Sequence, residues 1–231
     1  MDFPRLFGIR IYDSNGNELS MNDSTGLTTR IYDELGRTLT KTVPKFGTCR
    51  YIYDVDLGNG AYAEKTTDPQ GNTTIREFDK LGRLSRVRDV DGAEGTVYTY
   101  DDAGRQTKVE YENGGREEYA FDQNNRLLTL KNYRGASLTD QYSYAYDSNG
   151  NMLTKTELVA GISTQTSYAY DALNRLTYET TGDNSHREFA YDAAGNRSEL
   201  IEYSLSTVTG RITYAYDECN RLTQKTSTAT G

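Results

Sequence analysis

Tyr146-Asp147-Ser148-Asn149-Gly150-Asn151-Met152-Leu153 is the stretch that decides the fold, because the chain keeps repeating it. An aromatic residue followed by Asp recurs at Tyr12-Asp13, Tyr32-Asp33, Phe78-Asp79, Tyr100-Asp101, Phe121-Asp122, Tyr170-Asp171, Tyr191-Asp192 and Tyr216-Asp217. A degenerate tenth copy begins at Tyr53-Asp54. Successive aromatics lie 20, 21, 25, 22, 21, 25, 24, 21 and 25 residues apart, a period that marks a repeat architecture. Asp favours the first position of a type I turn, where its carboxylate accepts backbone N–H groups two residues on. Three residues after the Asp come Gly16, Gly36, Gly82, Gly104, Asn125, Gly150, Asn174, Gly195 and Asn220. Gly tolerates positive φ freely and Asn is next best. A type I turn followed by a left-handed residue closes a hairpin through a bulge. Each copy therefore reads as a tight hairpin turn, with aromatic-Asp entering and Arg or Asn leaving. The copy at Asp54 has Leu57 where Gly is required and Gly58 one place later, so a different turn is expected there.

Working outward, the residues before each turn alternate with period two, as strands do. Tyr51/Tyr53, Tyr98/Tyr100, Tyr119/Phe121, Tyr144/Tyr146, Tyr168/Tyr170, Phe189/Tyr191 and Tyr214/Tyr216 place aromatics on one face. Between them lie Ile52, Thr99, Ala120, Ala145, Ala169, Ala190 and Ala215. Those small residues imply close approach to something or a tightly curved sheet. Leu84, Leu127, Met152, Leu176 and Leu222 recur five residues past the Asp and open the outgoing strand. A second connection then leads to the next aromatic strand: Asp68 to Asn72, Asp91-Gly92, Glu112 to Gly115, Thr181 to Ser185 and Thr209-Gly210. Its length varies while the aromatic-Asp turn does not. One edge of the sheet should be uniform and the other should carry unequal loops. No window shows a sustained 3.6 period, so no helix is expected. Distortion is expected between Pro44 and Asp68.

The composition is unusual for a folded chain of 231 residues. The hydrophobic share is 35% and mean hydropathy is -0.79, values that lean toward disorder. Twenty Tyr and six Phe at regular spacing argue the other way and predict a core that is largely tyrosine. The net charge of -8 excludes nucleic-acid or anionic-membrane binding driven by bulk charge. Cys49 and Cys219 form no CxxC or Cys/His cluster, and Cys219 falls in a turn as an expected exposed thiol. Met1 to Arg10 lack a long apolar run, so neither a signal peptide nor a membrane span is expected. Both ends read as cut from something longer. A hairpin repeat cannot bury its own apolar face, so neighbours must stack into ladders of rings: Tyr12, Tyr32, Tyr53, Phe78, Tyr100, Phe121, Tyr146, Tyr170, Tyr191 and Tyr216. Twist then bends the array, and its end strands offer open edges for end-to-end association.

The motif Tyr-Asp-x-x-Gly-Arg-Leu at this period, with turns such as Asp68-Pro69-Gln70-Gly71-Asn72, resembles the YD repeat, also called the Rhs repeat. The resemblance covers nearly the whole chain. It implies a β-spiral strip that forms the wall of a hollow shell, as in Rhs and Tc toxins, wall-associated proteins and teneurins. It also implies a secreted, cell-surface or delivered parent protein. In the toxins the shell encloses a C-terminal effector. No Rhs-associated core and no effector is visible after the last repeat, so self-cleavage and toxicity are not carried over. What the resemblance implies here is a wall segment with the motif Asp residues as turn formers, serving other parts of the same polypeptide or an enclosed cargo.

Sharper chemistry competes with the turn reading. Asp13-Ser14-Asn15-Gly16-Asn17 and Asp147 to Asn151 open like a calcium loop, but the twelfth position holds Ser24 or Leu158 instead of Glu. His186 beside Arg187 has no nameable catalytic partner and reads as an exposed loop residue. With 34 acids, carboxylate pairs of the glycosidase type carry no specificity. Tyr rows with Arg83, Arg105, Arg126, Arg175 and Arg221 serve either as cation–π packing or as a platform for sugars or peptides. The reading is thus an all-β array of about ten repeats over 1–231, non-enzymatic, without cofactor or metal. A carbohydrate- or protein-binding module is the alternative.

Overall fold

The structure, a computed structural model, describes residues 8–92 and 95–229. It contains two compact units, Met1–Asn113 and Gly114–Gly231. The first holds β1 (Ile9–Tyr12), β2 (Glu18–Asp23), β3 (Gly26–Tyr32), β4 (Thr38–Val43), β5 (Gly47–Gly58), β6 (Ala61–Thr67), β7 (Thr73–Phe78), β8 (Leu84–Asp89), β9 (Thr96–Tyr100) and β10 (Gln106–Glu110). The second holds β11 (Gly115–Phe121), β12 (Leu127–Arg134), β13 (Ser137–Tyr146), β14 (Met152–Val159), β15 (Ile162–Tyr170), β16 (Leu176–Thr180), β17 (His186–Tyr191), β18 (Arg197–Ser204), β19 (Thr207–Tyr216) and β20 (Leu222–Ala229). Among the described residues there is no helix. Inside each unit every strand pairs antiparallel with its neighbour in sequence. The expected all-β hairpin architecture is the one observed.

The motif turns join odd to even strands and so fall on one edge of each unit. The register slips by one residue just before the motif aromatic, for example between Ile11 and Tyr12, Ala145 and Tyr146, and Ala215 and Tyr216. That slip is the bulge that a type I turn with a left-handed residue demands. The opposite edge is irregular. It includes two-residue turns at Gly135-Ala136, Ala160-Gly161 and Leu205-Ser206 beside longer ones at 44–46, 68–72 and 181–185.

Four expectations need correction. Tyr53-Asp54 starts no turn: β5 runs on through it, with Asp54 at φ 54 absorbing a bulge, and the chain reverses at Asn59-Gly60. Leu57 cannot take the left-handed place cheaply, so the turn is deferred. Thr209-Gly210 is not a connection but part of β19, and the turn sits at Leu205-Ser206. Gly210 faces Glu202, whose Oε2 would lie 3.1 Å from an added Cβ; it makes room for a side chain. His186 is not a loop residue. It opens β17, half-buried, with its ring 4.1 Å from Tyr203 and 5.2 Å from Tyr178. The five-residue turn closes at Ser185, so His186 is already opposite Tyr203. Nor is the core tyrosine. Of the described residues, only Ala63, Ile75, Val109, Thr28 and Thr166 are buried. The tyrosines stand half-buried, except Tyr12 and Tyr111, which are exposed. The small-residue row, Ala120, Ala145, Ala169, Ala190 and Ala215, is exposed.

Candidate functional site at the turn edge

Each motif Asp organises its turn alone. At Asp147, Oδ1 accepts the backbone N–H groups of Asn149 (2.9 Å) and Asn151 (2.8 Å), and Oδ2 accepts the Asn151 side-chain amide (2.8 Å). The Asp147 N–H donates to the Asn151 carbonyl (2.9 Å), and the Gly150 N–H donates to the Asp147 carbonyl (3.2 Å). The same two backbone bonds close the turns at Asp13, Asp33, Asp79, Asp101, Asp122, Asp171, Asp192 and Asp217. The residue three places on is left-handed in all nine, from φ 59 at Asn220 to φ 95 at Gly150. Where Arg leaves the turn, its Nε replaces the amide on Asp Oδ2, at 2.7 Å for Arg37, Arg83, Arg105, Arg175 and Arg221 and 2.6 Å for Arg126. Asp68 to Asn72 builds the same turn on the opposite edge, and Thr181 to Ser185 repeats its two backbone bonds with Thr in place of Asp.

These bonds act on the carboxylates. The backbone N–H and guanidinium of the departing Arg hold Asp33, Asp79, Asp101, Asp122, Asp171 and Asp217 below the ordinary carboxylate range. The amide of the departing Asn does the same for Asp13, Asp68 and Asp147. Both oxygens of Asp13 are occupied by Asn15 and Asn17, so the loop that resembled a calcium site is satisfied from within.

The aromatic of the motif reaches the previous hairpin. Its hydroxyl donates to the carbonyl of the residue five places after the previous motif Asp. Tyr32 donates to Glu18 (2.8 Å), Tyr53 to Thr38 (2.9 Å), Tyr100 to Leu84 (2.7 Å) and Tyr146 to Leu127 (2.9 Å). Tyr170 donates to Met152 (3.0 Å), Tyr191 to Leu176 (2.8 Å) and Tyr216 to Arg197 (3.1 Å). These tyrosines do not stack ring on ring. Instead the previous turn's Arg covers the ring: Arg37 lies 4.5 Å from the Tyr53 centroid, Arg83 4.8 Å from Tyr100, Arg126 4.9 Å from Tyr146 and Arg175 4.5 Å from Tyr191. Burial pushes the phenols of Tyr53, Tyr100, Tyr146 and Tyr170 up. Phe78, without a hydroxyl, stacks on Tyr62 at 4.8 Å.

A second link joins turns that Asn leaves. The Asn151 amide donates to Asn174 Oδ1 (2.8 Å), helped by Asn149 (3.1 Å), and the Asn196 amide donates to Asn220 Oδ1 (2.9 Å). In these pairs the receiving Asn is the left-handed residue of the next turn. Sequence reasoning treated Gly and Asn there as interchangeable. The sequence signals this link only in part: Asn151 and Asn196 precede turns with Asn, and Arg83, Arg126 and Arg175 precede turns with Gly, but Asn17 precedes Gly36 and Arg105 precedes Asn125. Arg37 breaks the pattern by reaching Asp54 (2.5 Å) in the hairpin that lacks the turn.

Turns interlocked hairpin by hairpin define an all-β repeat protein. Residues 78–116 match the RHS Repeat family model, and that stretch, which spans the turns at Asp79 and Asp101, carries the Rhs repeat. The fold is shared with the crystal structure of TcdB2-TccC3: TM-score 0.56, 16% identity, 93% of this chain and 16% of that one. The Photorhabdus luminescens Tc holotoxin pore gives TM-score 0.55 and 16% identity, again over 93% of this chain and 16% of that one. The chain thus spans about one sixth of the length of these proteins. No curated protein matches it.

Proposed function

We propose that the chain is a non-enzymatic wall segment of a hollow shell that encloses or presents another part of the same large polypeptide. One observation carries this reading: seven motif tyrosines, Tyr32, Tyr53, Tyr100, Tyr146, Tyr170, Tyr191 and Tyr216, each bond the preceding hairpin, yet almost none of the described residues is buried. An enzyme domain ordinarily holds its site on a two-layer core. Here lateral bonds between neighbours replace such a core. That suits a sheet with two wetted faces. The fold likeness to TcdB2-TccC3 supports it. The motif period passes from Tyr100 to Phe121 without a break, which supports a single array of about ten repeats. The alternative, a binding module that stacks sugars on tyrosine rows, loses much of its platform. At Tyr53, Tyr100, Tyr146 and Tyr191 an Arg covers the ring and the hydroxyl is bonded.

The test is electron cryomicroscopy of the full-length polypeptide that carries these repeats. A hollow particle with residues 8–229 in its wall and density inside supports the proposal. A solid particle, or one with these repeats on an arm outside it, overturns it.

A further inference from the structure

One carboxylate on the face opposite the motif tyrosines stands without a cation. His186, Glu188 and Ala190 alternate along β17 and share a face with Tyr178, Ile201 and Glu199, through the pairs Tyr178↔Glu188, Glu188↔Ile201 and Ala190↔Glu199. Ala169↔Tyr178 makes it the face of the small-residue row. Glu118, Glu157, Glu179, Glu199 and Glu202 are half-buried strand residues of the same unit, and each holds a Lys or Arg at 2.6–3.7 Å. Glu188 is half-buried too, yet it meets no cation among the described residues. Its one side-chain bond comes from the Tyr203 hydroxyl to Oε2, at 3.2 Å. That leaves Oε1 open. Beside it a cleft of about 250 Å³ runs between Tyr178, Glu188, Ala190, Glu199 and Ile201. Ala190 is too short to fill the space beside the Tyr178 ring. Glu199 is already neutralised by Arg211 at 2.6 Å, so Glu188 carries the uncompensated charge of the cleft.

We propose that this cleft binds a primary ammonium group carried on an apolar stem, the chemistry of a lysine side chain or a free alkyldiamine. The head group donates to Glu188 Oε1, and the stem lies along Ala190 and Ile201 beside the Tyr178 ring. Such a ligand gains twice, because its methylenes leave water while its charge meets a carboxylate. A partly desolvated carboxylate attracts a cation more strongly than one in open water. A guanidinium fits less well. Its fork asks for both carboxylate oxygens, and Tyr203 already occupies one. The site lies wholly within the second unit and on the face away from the motif tyrosines, so it goes beyond the wall reading and does not depend on it.

His186 supplies the readout, because it is the one histidine of the chain. Its ring lies 4.1 Å from Tyr203 and 5.2 Å from Tyr178, so a ligand against Glu188 and Tyr178 shifts the imidazole proton resonances. Four probes are titrated into the whole chain at fixed pH and low salt: N-acetyl-lysine methylamide, cadaverine, the arginine analogue, and the norleucine analogue, which has the stem without the charge. The lysine derivative and cadaverine should move the His186 signals to saturation. The arginine analogue should bind more weakly, and the norleucine analogue should leave the signals in place. The tighter of the two ammonium probes assigns the source, a polypeptide side chain or a free amine. Glu188→Gln keeps an acceptor for Tyr203 but removes the charge, and should weaken binding roughly tenfold. Ala190→Leu fills the cleft while Glu188 keeps its charge, and should abolish binding. Circular dichroism checks that each variant is folded, and the probe comparison on the unaltered chain decides the matter if one is not. No His186 shift with either ammonium probe, equal binding of the norleucine analogue, or a Glu188→Gln variant that binds as wild type overturns the proposal.

Discussion

Tyr146→Phe isolates the bond on which the wall reading stands. The substitution removes one hydroxyl, whose donor bond to the Leu127 carbonyl is 2.9 Å long. It leaves the ring, the covering Arg126 and the strand pairing in place. A neutral hydrogen bond contributes about 0.5–1.5 kcal/mol net. The carbonyl left behind is only partly buried and regains some water, which places the expected loss near 1 kcal/mol. The melting midpoint should fall by about 2–8 °C, the span expected between a unit that melts alone and a chain that melts whole. Tyr144→Phe is the control. It lies two residues away on the same face, and its hydroxyl makes no hydrogen bond among the described residues. It should stay within about 0.5 kcal/mol of wild type. Urea titration of the three proteins, with amide exchange read across β12 and β13, measures both quantities. Equal loss in Tyr146→Phe and Tyr144→Phe would refute the interlock, since then ring burial and not the hydroxyl would carry the effect.

Other outcomes follow from the same geometry. Gly104→Val should cost about 1–3 kcal/mol in chemical denaturation, because a β-branched residue is forced to φ +82 while its Cβ meets open space. Gly104→Asn should cost under about 1 kcal/mol, since Asn already fills that place at three turns. Asn174→Gly keeps the left-handed residue but deletes the acceptor for Asn149 and Asn151. A loss of about 0.5–1.5 kcal/mol is expected by urea titration. The turn carboxylates fix the acid limb. Their folded values lie below the ordinary one, so their stabilisation is present above about pH 4 and is lost as pH falls through the folded values. Melting temperature between pH 7 and 2 should stay level to about pH 4 and then drop, and Asp147→Asn should make the drop shallower.

The turn edge was legible because one residue type solves each of its problems. Asp captures the N–H groups two and four residues on, and Gly or Asn takes the left-handed place. Where the chain lacked those types, reading failed. Ala160 and Leu205 sit at φ 50 and 55 in two-residue turns, positions at which neither side chain advertises a turn. There the pairing of long strands on both sides enforces the reversal against local preference. The opposite error arose at Gly210, a breaker by type that serves as a gap beside Glu202. His186 was misplaced for a related reason. Its neighbours in sequence are polar turn residues, but its neighbours in space are two tyrosines supplied by β16 and β18. Such cross-strand partners depend on register, and register is invisible until the bulges are placed.

The absence of a buried core has a consequence for how the array can fail. In a layered domain, one large-to-small core substitution removes contacts from many elements at once. Here each hairpin meets only its neighbours, through a hydroxyl, a guanidinium and a ladder. Stability should therefore behave as a sum of junctions. Tyr146→Phe and Tyr191→Phe act at junctions that share no partner, so their losses should add within about 0.5 kcal/mol. Tyr170→Phe with Asn174→Gly acts on one junction, between the turns at Asp147 and Asp171. Those two losses should depart from additivity, because once the Met152 carbonyl loses its donor, the Asn151–Asn174 pair is held less firmly. Double-mutant cycles by urea titration separate the two cases. Strong coupling between Tyr146 and Tyr191 would mean that the unit melts as a single body, and the junction account of this wall would be wrong.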